Sequence, residues 1–157
     1  MKKKVKVLKE SIFKDKRGLL WTSWEKKKIS LNFKHDKFSL SKKDVFRGLH
    51  YDSKTWKLVS CVYGKFFFVV VDCNPKSKHF HKVKTWILSA ENNISILVPP
   101  YFANGHLCMS KECVFHYKLS YTGKYNDVIN QKTLKWNDSS IKIKWPKRKF
   151  ILSERDK

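Results

Sequence analysis

Along this chain, hydrophobic and polar residues alternate with a period of two or gather into short apolar runs, a pattern that belongs to strands. The runs that qualify are Lys4–Leu8, Leu19–Trp24, Trp56–Tyr63, Lys65–Asp72, Lys82–Leu88, Ser95–Val98, Leu107–Met109, Cys113–Ser120 and Ile141–Lys144. No segment keeps a helical period over three turns. Val62-Tyr63-Gly64-Lys65 separates two β-prone runs and reads as a hairpin turn, while Asn74-Pro75 and Pro99-Pro100 mark further turns. Glu25–Ser30 reads as a loop or a short helical turn. Short strands punctuated by turns predict an all-β antiparallel barrel. With no internal repeat and no long linker, residues 1–157 are expected to form one domain.

Composition narrows the class. A chain of 157 residues with 41% hydrophobic and 15% aromatic content can bury one sizeable core, which excludes a disordered polymer. No apolar run approaches the roughly 20 residues of a membrane helix. The basic start Met1–Lys6 has no apolar stretch or cleavage site behind it, so a cytoplasmic protein without a membrane partner is expected. Cys61, Cys73, Cys108 and Cys113 form no C-x-x-C pair and are expected as free thiols.

Charge widens the field of partners. Thirty-five Lys and Arg against 13 Asp and Glu give a net charge of +22, which attracts nucleic acid, anionic membrane or a phosphorylated ligand. The lysines are dispersed, apart from Lys2–Lys4, Lys26–Lys28 and Lys147–Lys149. Many alternate with apolar residues, as in Ile141-Lys-Ile-Lys-Trp145, the pattern of solvated strand faces. Nucleic acid is therefore not the expected partner, and a nucleotide diphosphate fits the surface equally well.

Three segments carry candidate chemistry. In Arg47-Gly48-Leu49-His50 the glycine permits close backbone approach, the arginine can grip an anion and the imidazole can abstract a proton. Lys57, inside a β-run, either stabilises an oxyanion or faces solvent, and the pattern alone favours solvent. In Cys113–Ser120, Phe115 and Tyr117 share one face while His116 and Lys118 share the other; Tyr117 is a core filler or a general acid, and the pattern alone favours the filler. His79-Phe80-His81 offers half of a metal site, but it follows a turn and has no acidic partner at ligand spacing. His50, His106 and His116 also lack the His-x-His and downstream Glu of a barrel metal site, so no metal is expected.

Taken together these segments resemble the dTDP-4-dehydrorhamnose 3,5-epimerase family. The matching residues are Asp15-Lys-Arg-Gly18, Arg47-Gly-Leu-His50, Lys57-Leu-Val59, Gly64–Asp72, Leu88-Ser-Ala-Glu-Asn92, Tyr117-Lys118, Trp136-Asn-Asp138, Trp145-Pro146 and Leu152-Ser-Glu-Arg-Asp156, in family order from residue 15 onward. The resemblance implies a cupin jelly-roll barrel of antiparallel strands, a homodimer and a nucleotide-diphosphate 4-keto sugar as substrate. It assigns His50 as base, Asp156 as the carboxylate orienting it, Lys57 as enolate stabiliser and Tyr117 as acid on the opposite face of the sugar. Arg17 and Arg47 are implied to line the nucleotide-sugar site, parts of which come from the neighbouring subunit. A C4 ketone acidifies the hydrogens on C3 and C5, so the implied chemistry needs no cofactor and no metal.

The chain departs from the family in places. The usual Gly-Phe-Ala-His-Gly-Phe segment is Tyr101-Phe-Ala-Asn-Gly-His106, which puts Asn104 and His106 among the implied substrate contacts. Arg17-Gly-Leu-Leu-Trp-Thr22 lacks an acidic residue that the family carries. These departures, with Phe33-Lys-His-Asp-Lys-Phe38, Cys61-Val-Tyr-Gly64 and Tyr117-Lys-Leu-Ser-Tyr-Thr-Gly-Lys-Tyr125, resemble the branch acting on GDP-linked 4-keto heptoses in bacterial capsule synthesis. The alternatives are a single-centre C3 or C5 epimerase, a dTDP-4-keto-6-deoxyhexose epimerase, and a basic barrel binding RNA or acidic glycans. A ketoisomerase is disfavoured because Tyr51-Asp52, not a second histidine, follows His50. Asp156 lies one residue from the end of the sequence, where residues are poorly ordered unless tied down.

Overall fold

The structure, a computed structural model, describes residues 4–9, 11–147 and 149–157. Lys2, Lys3 and Arg148, members of two basic clusters, lie outside the described residues. The strands are β1 (Lys6–Lys9), β2 (Ile12–Asp15), β3 (Gly18–Trp21), β4 (His35–Lys42), β5 (Phe46–Tyr51), β6 (Trp56–Tyr63), β7 (Lys65–Asp72), β8 (Val83–Ser89), β9 (Ile94–Val98), β10 (Phe102–Cys108), β11 (Glu112–Ser120) and β12 (Lys132–Thr133). Single 3-10 turns at Val128–Asn130 and Glu154–Asp156 are the helical elements among the described residues. No helix there is long and apolar enough to cross a membrane.

Two antiparallel five-stranded sheets face each other, one in the order β1-β9-β6-β11-β4 and the other β12-β5-β10-β7-β8, and β2 and β3 form a separate hairpin. This is the expected jelly roll. The space between the sheets is filled by Val59, Phe66, Phe68, Val70, Ile96 and Phe115. Phe66 and Phe68 are fully buried, and each such side chain contributes about 1.5–3 kcal/mol relative to exposure.

The apolar run Phe66–Val71 is continuous because β7 is covered on both faces. Phe66, Phe68 and Val70 point inward, while Phe67, Val69 and Val71 pack outward under Trp136, Ile143, Trp145, Phe150 and Leu152 of the C-terminal segment. Trp136 and Trp145 meet Phe150 edge-on, at centroid separations of 4.9 and 5.2 Å. That packing delivers the chain's last residues to the mouth of the barrel.

The expected strands β6 and β7 fall where the pattern placed them, and the Gly64 turn between them has φ of +67°. Ile141–Lys144 is a correction: it joins no sheet, and its alternation reflects Ile141 and Ile143 packing onto the outer face of the second sheet. Leu107–Met109 is another, since the strand is β10, longer and earlier. Its Asn104-Gly105-His106 stretch breaks the apolar pattern because it lines a cavity. Strands β2, β4, β5 and β12 escape the pattern; β4 alternates largely between exposed and half-exposed positions at a sheet edge.

Candidate active site

Gly48 and Gly105 let two strands of one sheet meet closely beneath the cavity. Gly48 has φ of +134°, and a Cβ there would lie 2.5 Å from the Cα of Gly105. At this contact the pairing of β5 with β10 shifts register between Asn104 and His106. The irregularity sets Arg47, His50, Asn104 and His106 around one opening.

That opening is a cavity of about 440 Å3 between the two sheets. One wall carries His50 on β5 and Asn104 and His106 on β10; the facing wall carries Lys57 on β6 and Phe115, Tyr117 and Leu119 on β11. The rim is built by Gln131, Ser153, Arg155 and Asp156.

His50 Nε2 donates to Asp156 Oδ1 at 2.7 Å. The carboxylate is 4% exposed and also accepts the Ser153 hydroxyl at 3.0 Å. Burial alone would raise its pKa, but the His50 hydrogen bond and charge, Ser153 and the Gly48 amide together hold it below the ordinary value. Asp156 is tied down by the 3-10 turn and these bonds.

Lys57 corrects the pattern-based preference for a solvent-facing lysine. It is buried, and its Nζ donates to Asn104 Oδ1 at 3.4 Å. Burial pulls its pKa down to about 8, against the opposing charge of Asp52 and with that of Arg155 in support. Asn104 Nδ2 donates to the His50 carbonyl at 3.1 Å, so this one amide links the two walls.

Tyr117 is half-buried at the cavity rather than sealed in the core. Burial raises its pKa, partly offset by Lys37, which stands opposite it on β4. His106 is 3% exposed, lies flat on Phe115 at 4.4 Å and has Nε2 3.3 Å from Ser41 Oγ. Burial, reinforced by Arg47, pushes its pKa down to about 3, so the imidazole is neutral. Arg47 Nε donates to Ser41 Oγ at 3.0 Å.

Arg17 is not brought to this cavity. It sits at the β2–β3 turn, its side chain 80% exposed and paired with Asp15 at 2.5 Å. The structure adds residues that the sequence reading missed: Lys37, Ser39, Tyr125, Gln131, Ser153 and Arg155. Arg155 stands inside the matched motif Leu152–Asp156, which is the signal that could have found it.

A second histidine–carboxylate pair is informative by contrast. His116 Nε2 donates to Asp36 Oδ1 at 2.6 Å, and Ser60 Oγ lies 2.9 Å from its other nitrogen. It occupies the opposite face of β11, covered by Phe38 stacked at 4.6 Å, and does not line the cavity. His50, His106 and His116 thus have separate partners, and no group of three metal-ligating side chains converges among the described residues. His79 and His81 lie in a turn, and Phe80 stacks on His81 at 3.8 Å. The four cysteines are free and buried.

Comparison with known proteins places this geometry. The family model described as dTDP-4-dehydrorhamnose 3,5-epimerase matches residues 3–157. A protein of that name from Shigella flexneri is 35% identical, over 97% of this chain and 87% of its own length. Among solved structures, the enzyme of the same name from Bacillus anthracis, with TDP and pyrophosphate bound, superposes with a TM-score of 0.90 at 30% identity, covering 97% of this chain and 90% of that one. The dTDP-6-deoxy-D-glucose-3,5-epimerase of Legionella pneumophila, in complex with dTDP-4-keto-L-rhamnose, gives 0.90 at 33% identity, covering 97% and 84%. These names give no support to the GDP-heptose branch expected from the departures. The chain belongs to the dTDP-4-dehydrorhamnose 3,5-epimerase family of cupin-fold nucleotide-sugar isomerases.

Proposed function

We propose that the chain inverts C3 and C5 of a nucleotide-diphosphate 4-keto sugar, with His50 as base and Tyr117 as acid. One observation carries the reading: His50, backed by buried Asp156, and Tyr117 stand on facing walls of a single cavity, with Lys57 lining it beside them. Asp156 occupies Nε2 of His50 and leaves Nδ1 as the nitrogen that takes the proton. Lys57, protonated at neutral pH, meets the negative charge that develops on the C4 oxygen. Tyr117 returns a proton from the opposite side of the ring, and the centre is inverted. Repositioning of the sugar presents the second carbon.

Arg47, Asn104 and His106 serve as substrate contacts in this proposal. Arg17 would act only in a homodimer, on a neighbouring copy's cavity. The exposure of Phe13 and Leu20 on its hairpin, 60% and 70%, supports such an assembly. The relatives favour a dTDP-linked 6-deoxyhexose. A GDP-linked heptose is the second reading, resting on the exchange of the family's aromatic residue for His106, which lines the cavity.

Product analysis by NMR with dTDP-linked and GDP-linked 4-keto sugars decides among these readings. Inversion at two carbons of the dTDP sugar is expected. Inversion at one carbon would make this a single-centre epimerase, and turnover of neither sugar by the folded protein would refute the assignment. In that last case, salt-sensitive RNA binding would put a basic binding module in its place.

A further inference from the structure

Asn104 is buried on β10, and both polar atoms of its side chain are engaged. Nδ2 donates to two carbonyls, that of His50 on β5 and that of Phe102 on its own strand, each at 3.1 Å. Those two acceptors fix which end of the amide is nitrogen, because an oxygen turned toward them would find no donor. Oδ1 is therefore directed away from them, across the space between the sheets, where it accepts from Lys57 Nζ on β6 at 3.4 Å. The backbone adds to the constraint. Asn104 stands directly opposite His50 in the pairing of β5 with β10, and the next residue, Gly105, packs against Gly48.

Lys57 needs such a partner. A lysine carries its charge on a flexible four-carbon stem, so its place depends on what holds the ammonium. The bond to Asn104 is the one hydrogen bond of Lys57 Nζ among the described residues, although the group has three donors. The carboxylate that lines the same cavity, Asp156, is taken up by His50 and Ser153. A neutral acceptor also suits the task. It directs the ammonium without cancelling its charge, which stays available to an oxyanion.

We propose that Asn104 is a positioning residue for Lys57, its amide tying the oxyanion-stabilising ammonium to the strand that carries the base. This deepens the proposed epimerase reading and rests on it for the role of Lys57. A contact of Asn104 with the sugar itself, through the second lone pair of Oδ1, would act on substrate binding. Holding Lys57 acts on the charge that develops in the transition state, and the two effects separate in the kinetics. Misplacing a catalytic group by about 1 Å costs on the order of a hundredfold in rate.

The test is a double-mutant cycle on kcat with the preferred 4-keto sugar, built from Asn104→Leu and Lys57→Met. Leucine keeps the branched shape and removes the acceptor; Asn104→Ser, with a side chain too short to reach Lys57, is the second variant. With Lys57 present, either should lower kcat by about ten- to a hundredfold. In the Lys57→Met background the same change should lower kcat by less than about twofold, because the group that Asn104 holds is already gone. Equal losses in both backgrounds would overturn the proposal, since a general disturbance of the cavity or direct work on the sugar does not depend on Lys57. An unchanged kcat with only KM raised, in either folded variant that retains Lys57, would overturn it too. A substrate-free crystal structure of the folded variant separates this claim from the epimerase reading. Lys57 Nζ displaced, in a protein whose wild type turns over no 4-keto sugar, would refute the epimerase and leave the Asn104–Lys57 link standing. An unmoved Lys57 would overturn the link whatever the activity.

Discussion

His50 and Asp156, 106 residues apart in sequence, meet at 2.7 Å between an imidazole nitrogen and a nearly sealed carboxylate oxygen. The pair joins a strand of the second sheet to the 3-10 turn Glu154–Asp156, so folding of the C-terminal segment completes the proposed base. Asp156 titrates below the ordinary carboxylate value, and its contribution to stability follows from that sign. A carboxylate with a depressed folded-state pKa stabilises the fold fully above its unfolded value, near 3.8, and this stabilisation is lost as pH falls through the folded value. Asp156→Asn should cost about 2 kcal/mol at pH 7 and less at an acidic pH where Asp156 is protonated in the folded state. Urea denaturation at the two pH values measures it.

Lys57 is expected to set the alkaline limit of the proposed reaction. With its pKa pulled down to about 8, the ammonium is lost as pH rises through that value, and kcat/KM should decline above it. Lys57→Met should reduce kcat by about 10²–10³ and abolish that limb, because no proton remains to be lost there. A limb that persists in the variant would assign it to another group.

Gly48 and Gly105 should tolerate no side chain. Gly48→Ala places a methyl group against the Gly105 backbone at a φ of +134°, which L-residues rarely adopt. A loss of about 2 kcal/mol or more is expected, seen as a lower Tm, with kcat falling because His50 is two residues away. Wild-type stability in Gly48→Ala would contradict the close approach of β5 and β10.

His106→Phe keeps the flat packing against Phe115 and leaves Ser41 its bond from Arg47. Stability should change by less than about 1.5 kcal/mol. If His106 contacts substrate through one hydrogen bond, KM should rise about three- to tenfold while kcat is preserved. Steady-state kinetics on the preferred sugar separates the two constants.

Much of this architecture is legible in the sequence, and the failures have physical causes. β6 and β7 stand out because apolar residues fill both of their faces. That same double burial hides the orientation of Lys57: it shares the inward face with Val59 and Cys61, but Leu58 on the other face is equally apolar, so alternation cannot say which side is the cavity. β5 and the middle of β10 are obscured by the polar residues and glycines that make the site. His50, Lys57, Tyr117 and Asp156 were reached through the family resemblance, and the structure brings all four to one cavity. Gln131 and Lys37 depend on chain segments meeting at the cavity, which no local pattern records. Arg17 matched a motif and lies elsewhere, on a hairpin exposed in the single chain.

The most direct test of a base and an acid on facing walls is solvent deuterium exchange into a 4-keto sugar, followed by the stereochemistry of the product. Wild type should incorporate deuterium with inversion, and His50→Asn should incorporate none. Tyr117→Phe should still incorporate deuterium but with configuration retained, since His50 can return a proton only to the face from which it took one. Inversion at the wild-type rate in Tyr117→Phe, or undiminished exchange in His50→Asn, would contradict the account.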